Sequence, residues 1–175
     1  MLLDAQGNEM SRIAGAVDKA KLLARLAEAR RGKLTLREAR RTADQDQTNV
    51  PANWKVAEAY LEDGREDLAE RHLRNVIAAD GENRYGYTDD ALFALGFLLG
   101  KRGQHAQGVF ALEKLLEHWP AYKDADKAWY CLGLSRLAVG QREKAREALA
   151  KLVTEYPDSA VAGNAKQALA KIGEK

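Results

Sequence analysis

One pattern of residues occurs twice in this chain at an offset of 37 positions, and no other feature constrains the fold as strongly. The first copy contains Gly96, Gly103, Gln104, Leu112, Leu115 and Pro120, and the second contains Gly133, Gly140, Gln141, Leu149, Leu152 and Pro157. Repetition at this period is typical of a helical solenoid, in which each unit buries its apolar side by stacking on a neighbour. The pattern therefore predicts a mainly α-helical solenoid.

The composition excludes several classes of protein. The 175 residues are 46% hydrophobic, which suffices for a core, but no apolar run is long enough for membrane insertion. The chain has 28 basic and 26 acidic residues, and its net charge of only +2 predicts no nucleic-acid partner. Cys131 is the single cysteine, so the chain has no internal disulfide and no CxxC motif. Without a recognisable secretory signal, the sequence as given indicates a cytoplasmic protein, or one of the cell envelope or periplasm if a segment precedes it.

The first residues predict a β-hairpin followed by a helix. Met1 to Asp4 and Glu9 to Ala14 have the character of two short strands, and Gln6 to Asn8 supply the turn. Asp18 can then cap a helix. Its apolar side is predicted to consist of Leu22, Leu23, Leu26 and Ala29.

This order of elements resembles the C-terminal third of a thioredoxin-like domain over residues 1–31. The resemblance depends on the element order, the helix leucines, and Asp4, Gly7, Arg12 and Gly15. In that family the redox cysteines precede the hairpin, so no active-site residue can be assigned here. We expect either a truncated thioredoxin-like domain or a hairpin whose free edge pairs with another chain, for example in a homodimer.

Residues 32–50 are predicted to form a basic and polar connector that contains a short helix from about Leu36 to Asp46. The basic residues here and just before it are Arg30, Arg31, Lys33, Arg37, Arg40 and Arg41. Such a run could contact the phosphates of RNA, but no aromatic residues alternate with the charges to stack on bases. A solvated connector is the favoured interpretation.

Residues 51–175 are predicted to form three helix pairs and a capping helix. In the first unit the expected helices are Asn53–Asp63 and Glu66–Ala79. In the second, one helix follows a cap at Thr88 and ends at about Arg102, and the other follows a turn at Gly103 and ends at His118. In the third they are Asp124–Val139 and Arg142–Tyr156. Thr88 is the expected cap of the third of these helices. After a cap at Asp158 or Ser159, the last helix has an apolar side and a polar side that should face water. The polar side carries Asn164, Lys166, Gln167 and Lys171.

The three pairs resemble tetratricopeptide repeats, called TPR units. Counted from the start of each unit, the family has large residues at positions 4, 7, 11 and 24, small residues at 8 and 20, and proline at 32. The third unit matches through Trp129, Leu132, Gly133, Ala145, Leu149 and Pro157, and the second through Leu92, Leu95, Gly96, Leu99, Leu112 and Pro120. The first matches through Val56, Ala57, Tyr60, Ala69 and Leu73, but has Asn53 at position 4 and no closing proline. Arg136 at position 11 and Gly108 at position 20 also depart from the pattern.

The resemblance implies a concave groove lined by positions 5 and 9 of each first helix. The corresponding residues are Trp54, Glu58, Phe93, Phe97, Tyr130 and Leu134. TPR units that bind C-terminal carboxylates carry Lys at 5 and Asn at 9, so that mode is not expected. Exposed aromatic residues here would suit an apolar or amphipathic protein segment. The opposing interpretation is that these rings pack within or between the first helices, where aromatic residues at helical spacing are usually found.

No catalytic, metal-binding or cofactor-binding arrangement is recognisable. His72, His105 and His118 are far apart and have the character of ordinary polar residues of second helices. Four aspartates, Asp89, Asp90, Asp124 and Asp126, fall at helix starts, where the helix dipole favours negative charge. Cys131 has no basic neighbour and is expected to be a partly buried structural thiol.

Two functions therefore remain open. The favoured one is a non-enzymatic scaffold that binds a protein or peptide through the groove. The alternative is the C-terminal part of a thioredoxin-like thiol-disulfide oxidoreductase whose repeats recruit substrates or partners. The length and aromatic-proline ending of the repeats resemble TPR proteins of bacterial cell envelopes.

The repeat pattern predicts how one substitution affects stability. Positions 8 and 20 of a unit are small because the two helices of the pair cross closely there. Gly133→Leu should overpack this crossing and lower the free energy of unfolding by about 1–3 kcal/mol. Thermal denaturation measures the effect, and an unchanged melting temperature would refute the repeat assignment.

Overall fold

A computed structural model describes residues 34–173, and the part of it from Leu36 onward belongs to one compact body. The hairpin, the helix and the thioredoxin-like resemblance expected in residues 1–31 lie outside the described residues and stay predictions. The helices of the described part are α1 Leu36–Gln45, α2 Val50–Glu62, α3 Glu66–Ala79, α4 Thr88–Lys101, α5 His105–His118, α6 Ala125–Ala138, α7 Arg142–Glu155 and α8 Ala162–Gly173.

The helices stack as three pairs followed by a final helix. Helices α2 and α3, α4 and α5, and α6 and α7 pack against each other, and the second helix of each pair packs on the first helix of the next pair. Helix α7 packs on α8 in the same way, and the first helices α4 and α6 also touch. The predicted solenoid of three helix pairs and a terminal helix is therefore confirmed for the described residues.

The same glycine turn joins the two helices of every pair. Gly64, Gly103 and Gly140 all have a positive φ, between 68° and 78°, which costs glycine nothing because it lacks a Cβ atom. The amide after each glycine donates to the carbonyl five residues earlier, as Gln141 does to Arg136 at 2.8 Å. This is the Schellman ending of a helix, and it reverses the chain so that the second helix can pack on the first.

In the second and third pairs, the two helices approach so closely that a methyl group at position 8 would collide with its neighbours. A Cβ atom built on Gly133 would lie 2.6 Å from Cγ of Leu149, and one on Gly96 would lie 2.6 Å from Cγ of Leu112. The nearest neighbour is thus the leucine at position 24, whereas the sequence had singled out position 20. Gly163 in α8 has nothing within 4 Å and provides a control, since Gly163→Leu should be tolerated.

The first unit replaces a large apolar core residue by a hydrogen-bonded polar group. Asn53 is fully buried, and its amide nitrogen donates to the carbonyls of Gln47 at 3.0 Å and Asn49 at 2.9 Å. Its oxygen lies 2.8 Å from Nδ1 of His72 and accepts from Asn75 at 3.0 Å. Because an amide oxygen can only accept, Nδ1 of His72 is the donor. His72 is 5% exposed and is therefore a buried member of this network.

A hydrogen-bonded loop takes the place of the missing proline between the first two units. The buried carboxylate of Asp80 accepts from the amides of Arg84 at 2.9 Å and Tyr85 at 2.8 Å. Thr88 is the first helical residue and not the cap, because its hydroxyl donates to the Asp80 carbonyl at 2.6 Å. Its amide donates to the side chain of Asn83 at 2.8 Å. These bonds fix where α4 begins.

Helix α1 is a packed part of the solenoid, although the sequence indicated a solvated connector. Ala39 and Ala43 are fully buried and lie one helical turn apart, on the side of α1 that packs against α2. The guanidinium of Arg40 lies 5.3 Å from the centre of the Tyr60 ring. Helix α1 therefore covers the N-terminal end of the first repeat.

The buried histidine predicts how stability depends on pH. Burial lowers the pKa of His72 below its ordinary value of 6.5. The positive charge of Arg71 lowers this pKa further, and the negative charge of Asp44 partly offsets the decrease. The unfolded chain therefore takes up a proton at a pH at which the folded chain does not. Stability should be retained above pH 6.5 and should fall as the pH is lowered from there towards the pKa of the folded protein.

Chemical denaturation at about pH 7.5 and about pH 5.5 measures this loss, with each unit of pKa difference equivalent to about 1.4 kcal/mol. His72→Gln should lose stability at neutral pH and show a flatter pH dependence. His118→Gln, at an exposed ring, is the matched control and should keep the wild-type dependence. An equal pH dependence in all three chains would contradict the role of His72.

Candidate functional site

The six residues predicted for the groove fall into two groups. Trp54 and Phe93 are half-buried, and each ring packs on a tyrosine from a loop between units. Trp54 stacks on Tyr87 with ring centres 5.6 Å apart and planes at 15°, and Phe93 meets Tyr122 at 5.6 Å. Both rings also adjoin the main core, so at these two positions the structure agrees with the packing interpretation.

Side chains at position 9 are the exposed ones. Glu58 is exposed, Phe97 is 55% exposed and Leu134 is 39% exposed. Phe97 and Leu134 occupy the same position on the consecutive first helices α4 and α6, which touch each other. Among the six predicted residues, these two are therefore the large apolar side chains whose remaining exposed surface a partner could cover.

An open groove of about 860 Å³ lies between α6, the start of α7 and α8. Tyr130, Leu134 and Leu137 of α6 form one wall, and Ala168 and Ile172 of α8 add apolar surface to the other. Tyr130 is half-buried against the cluster beneath it, while Leu134 stands at the opening. Of the predicted residues, the structure thus brings Tyr130 and Leu134 into one site.

Helix α8 contributes half of this groove, which the sequence reasoning missed. Asn164, Gln167 and Lys171 line it and are exposed, as expected of the polar side of the helix. The signal was available in the repeat, because the offset of 37 positions carries Tyr130 to Gln167 and Leu134 to Lys171. Helix α8 therefore continues the row of first helices.

The charges along the row of first helices change from one end to the other. Two cations, Lys171 and Arg142, line the groove at α8, and no carboxylate does. The guanidinium of Arg142 donates a hydrogen bond to the Ile172 carbonyl at 2.8 Å. At the other end of the row, partial loss of solvent raises the pKa of Glu58. The positive charge of Lys55 lowers this pKa, and the negative charges of Glu62 and Asp90 raise it. Position 9 thus changes from acidic at Glu58, through apolar at Phe97 and Leu134, to basic at Lys171.

The described residues contain no group of three or more His, Cys, Asp or Glu side chains that could hold a metal ion. The aspartates at helix starts have structural partners. Asp90 accepts from the Tyr122 hydroxyl at 2.8 Å and from Lys123 at 2.8 Å, and Asp126 accepts from Ser159 at 2.5 Å. Each bond joins a unit to the segment that follows it, so these carboxylates tie consecutive units together.

Between residues 34 and 173, no helix combines the length and the apolar character that crossing a bilayer requires. The thioredoxin-like segment and its redox chemistry depend on residues outside this range and stay predictions, as does pairing through the hairpin.

Comparison with known proteins places the chain among repeat proteins. A family profile described as YfiO, outer membrane lipoprotein, matches residues 86–175, which is just over half of the chain. Among curated protein sequences, none matches this chain significantly.

Solved structures show the same fold. A chain described as MamA RS-1 ArsTM double mutant has a TM-score of 0.64 and 25% sequence identity, over 90% of this chain and 85% of that one. MamA 41-end from Desulfovibrio magneticus RS-1 has a TM-score of 0.60 and 22% identity, over 91% of this chain and 96% of that one. The chain thus has a TPR-like fold, and proteins with this fold act in protein–protein interaction.

The geometry predicts a weakly reactive thiol at Cys131. Burial raises the pKa of its thiol to about 11, so very little thiolate exists at neutral pH. Alkylation by iodoacetamide at about pH 7.5, followed by intact-mass measurement, should be slow in the native chain and at least about tenfold faster in denaturant. Equal rates in the two states would show that Cys131 is accessible and ionised.

Proposed function

This chain belongs to the family of outer membrane lipoproteins represented by YfiO, and from its repeat fold we propose that it is a non-enzymatic scaffold. It binds a segment of a protein partner along the row of first helices formed by α2, α4, α6 and α8. A scaffold needs an extended surface that folding has left unfilled, and repeat solenoids supply such surfaces along their length.

The observation that carries this proposal is the exposure of Phe97 and Leu134 on the adjacent first helices α4 and α6, where Leu134 also lines the groove at α8. Position 9 makes no demand on the core, because Glu58 and Lys171 occupy it in the flanking helices. When the chain folds, Phe97 keeps 55% and Leu134 keeps 39% of its surface in water, and binding would remove more of that surface. A protein segment with apolar side chains is the natural occupant.

The charges give this segment a direction. A bound segment would place apolar side chains on Phe97, Leu134 and Tyr130 and an acidic residue near Lys171 and Arg142. A basic residue of the segment would lie near Glu58. Complementary charges at both ends favour one orientation over its reverse and increase the rate of association.

The cell envelope is the proposed place of action, because the family is described as outer membrane lipoproteins. Fractionation of the source cells tests this placement. Recovery of the native protein only from the cytosol would contradict it.

Peptide selection tests the binding surface. A display library of random peptides is selected on the immobilised full chain, and affinities of the recovered peptides are measured by fluorescence anisotropy. Leu134→Asp and Phe97→Asp should each weaken binding by about tenfold or more, because each puts a charge into an apolar contact. Both residues are exposed, so the melting temperatures should stay close to that of the wild type.

Glu147→Ala on α7 is the matched control and should leave the affinities unchanged, since this exposed residue lies on a second helix. The recovered peptides should also carry an acidic residue at one end and a basic one at the other. Binders that are indifferent to both aspartate substitutions would show that the first helices are not the binding surface.

A further inference from the structure

Phe110 is 71% exposed, the most exposed of the large hydrophobic side chains in the described part of the chain. It lies on the second helix α5, whereas the surface proposed above is built from first helices. It stands beside a groove of about 710 Å³ between α3 and α5, with α4 beneath. Nothing in the proposed function uses this groove.

Most of the residues that line the groove are apolar. Its floor consists of Leu92, Leu95 and Leu99 of α4, and its sides carry Ile77 and Ala78 of α3 together with Ala106, Phe110 and Ala111 of α5. Ala106, Phe110 and Lys114 are spaced four residues apart, so they follow one side of α5 over about 12 Å. That length matches about two turns of another helix.

The next groove along the stack shows that folding does not require this apolar surface. In the third unit, the residues at the positions of Leu99, Ala106 and Phe110 are Arg136, Glu143 and Glu147. Arg136 forms an ion pair with Glu113 at 2.8 Å. Glu143 and Glu147 are both exposed. The positions of Ala106 and Phe110 are therefore charged in one unit and apolar in the other, so the fold does not require an apolar side chain at either of them.

Two cations stand at the edges of the groove, and no carboxylate lines it. Arg74 is held by Glu70 at 2.8 Å and donates to Gln107 at 3.0 Å, which fixes its guanidinium across the space between α3 and α5. Among the described residues, Lys114 has no ion pair. An apolar channel with cations at its edges is complementary to an apolar stripe flanked by acids.

We propose that the groove between α3 and α5 is a second docking surface, which binds an amphipathic helix with an acidic border from a protein partner. Apolar residues spaced three and four apart on that helix pack around Phe110. Its Asp or Glu side chains pair with Lys114 and Arg74. A helix is the expected form because the groove lies between two helices and offers apolar contacts over about two turns.

A selection that depends on Phe110 tests the proposal. A display library of helical peptides of about four turns is selected on the immobilised full chain. Soluble Phe110→Glu chain is added in excess, so that peptides binding elsewhere are removed. The recovered peptides should show an apolar stripe flanked by Asp and Glu. Their dissociation constants, measured by anisotropy, should rise by about tenfold or more with Phe110→Glu and with Lys114→Glu, and should also rise with ionic strength.

Ala106→Glu is the second variant, and it should weaken binding as Phe110→Glu does. Both substitutions install the residue that the third unit carries at the same position, so the backbone accommodates them, and unchanged melting temperatures verify this. Glu147→Ala and Leu134→Asp are the controls and should leave the affinity for these peptides unchanged. Loss of binding in Leu134→Asp would move the binding site to the first helices and overturn the proposal.

The absence of any enriched peptide, or enrichment of peptides with basic or uncharged borders, would also overturn the proposal. Light scattering of the full chain provides a further check. If the chain self-associates and Phe110→Glu abolishes the association, a second copy is the occupant and the acidic-helix proposal is wrong.

Discussion

The close crossing of two helices in each pair is the contact on which the rest of the structure depends. Gly96 fits against Leu112, and Gly133 fits against Leu149, with no room for a Cβ atom in either crossing. Both leucines are fully buried, so they cannot move aside without opening a cavity. Each helix pair packs on the next pair. The crossing angle within a pair therefore also determines the distance between consecutive first helices. The groove at α8 therefore follows from packing beneath it.

The first unit has no glycine at its crossing and no large residue at position 4, and it maintains the same architecture through polar contacts. Asn53 makes four hydrogen bonds that link α2, the loop before it and α3. A buried polar network stabilises only when every member has a partner, and the Asn53 amide meets that condition fully. The sequence could not pair Asn53 with His72, because each residue alone is an unremarkable departure from the repeat and only the helix crossing brings them together.

The helices could be predicted from the sequence to within a few residues, because the apolar period and the glycine turns recur at fixed positions. What the aromatic residues do could not be predicted. Trp54, Phe93 and Tyr130 share position 5, yet Tyr87 and Tyr122, which pack on the first two, come from loops that follow no helical period. A pattern confined to helices says nothing about such partners. The part played by α8 could have been predicted, since the repeat offset continues into it.

A repeat protein provides its own internal controls, because equivalent positions share a backbone and a packing environment. Position 9 changes from Glu58 through Phe97 and Leu134 to Lys171, and position 22 changes from Phe110 to Glu147. Because units with such different residues at these exposed positions adopt the same helix pair, the fold does not dictate which residue stands there. Positions 8 and 24 show the opposite behaviour in the second and third units, where glycine and leucine recur together. In these two units the residues at the crossings of the helix pairs are thus constrained by packing, whereas the exposed faces of the same helices can differ without changing the fold.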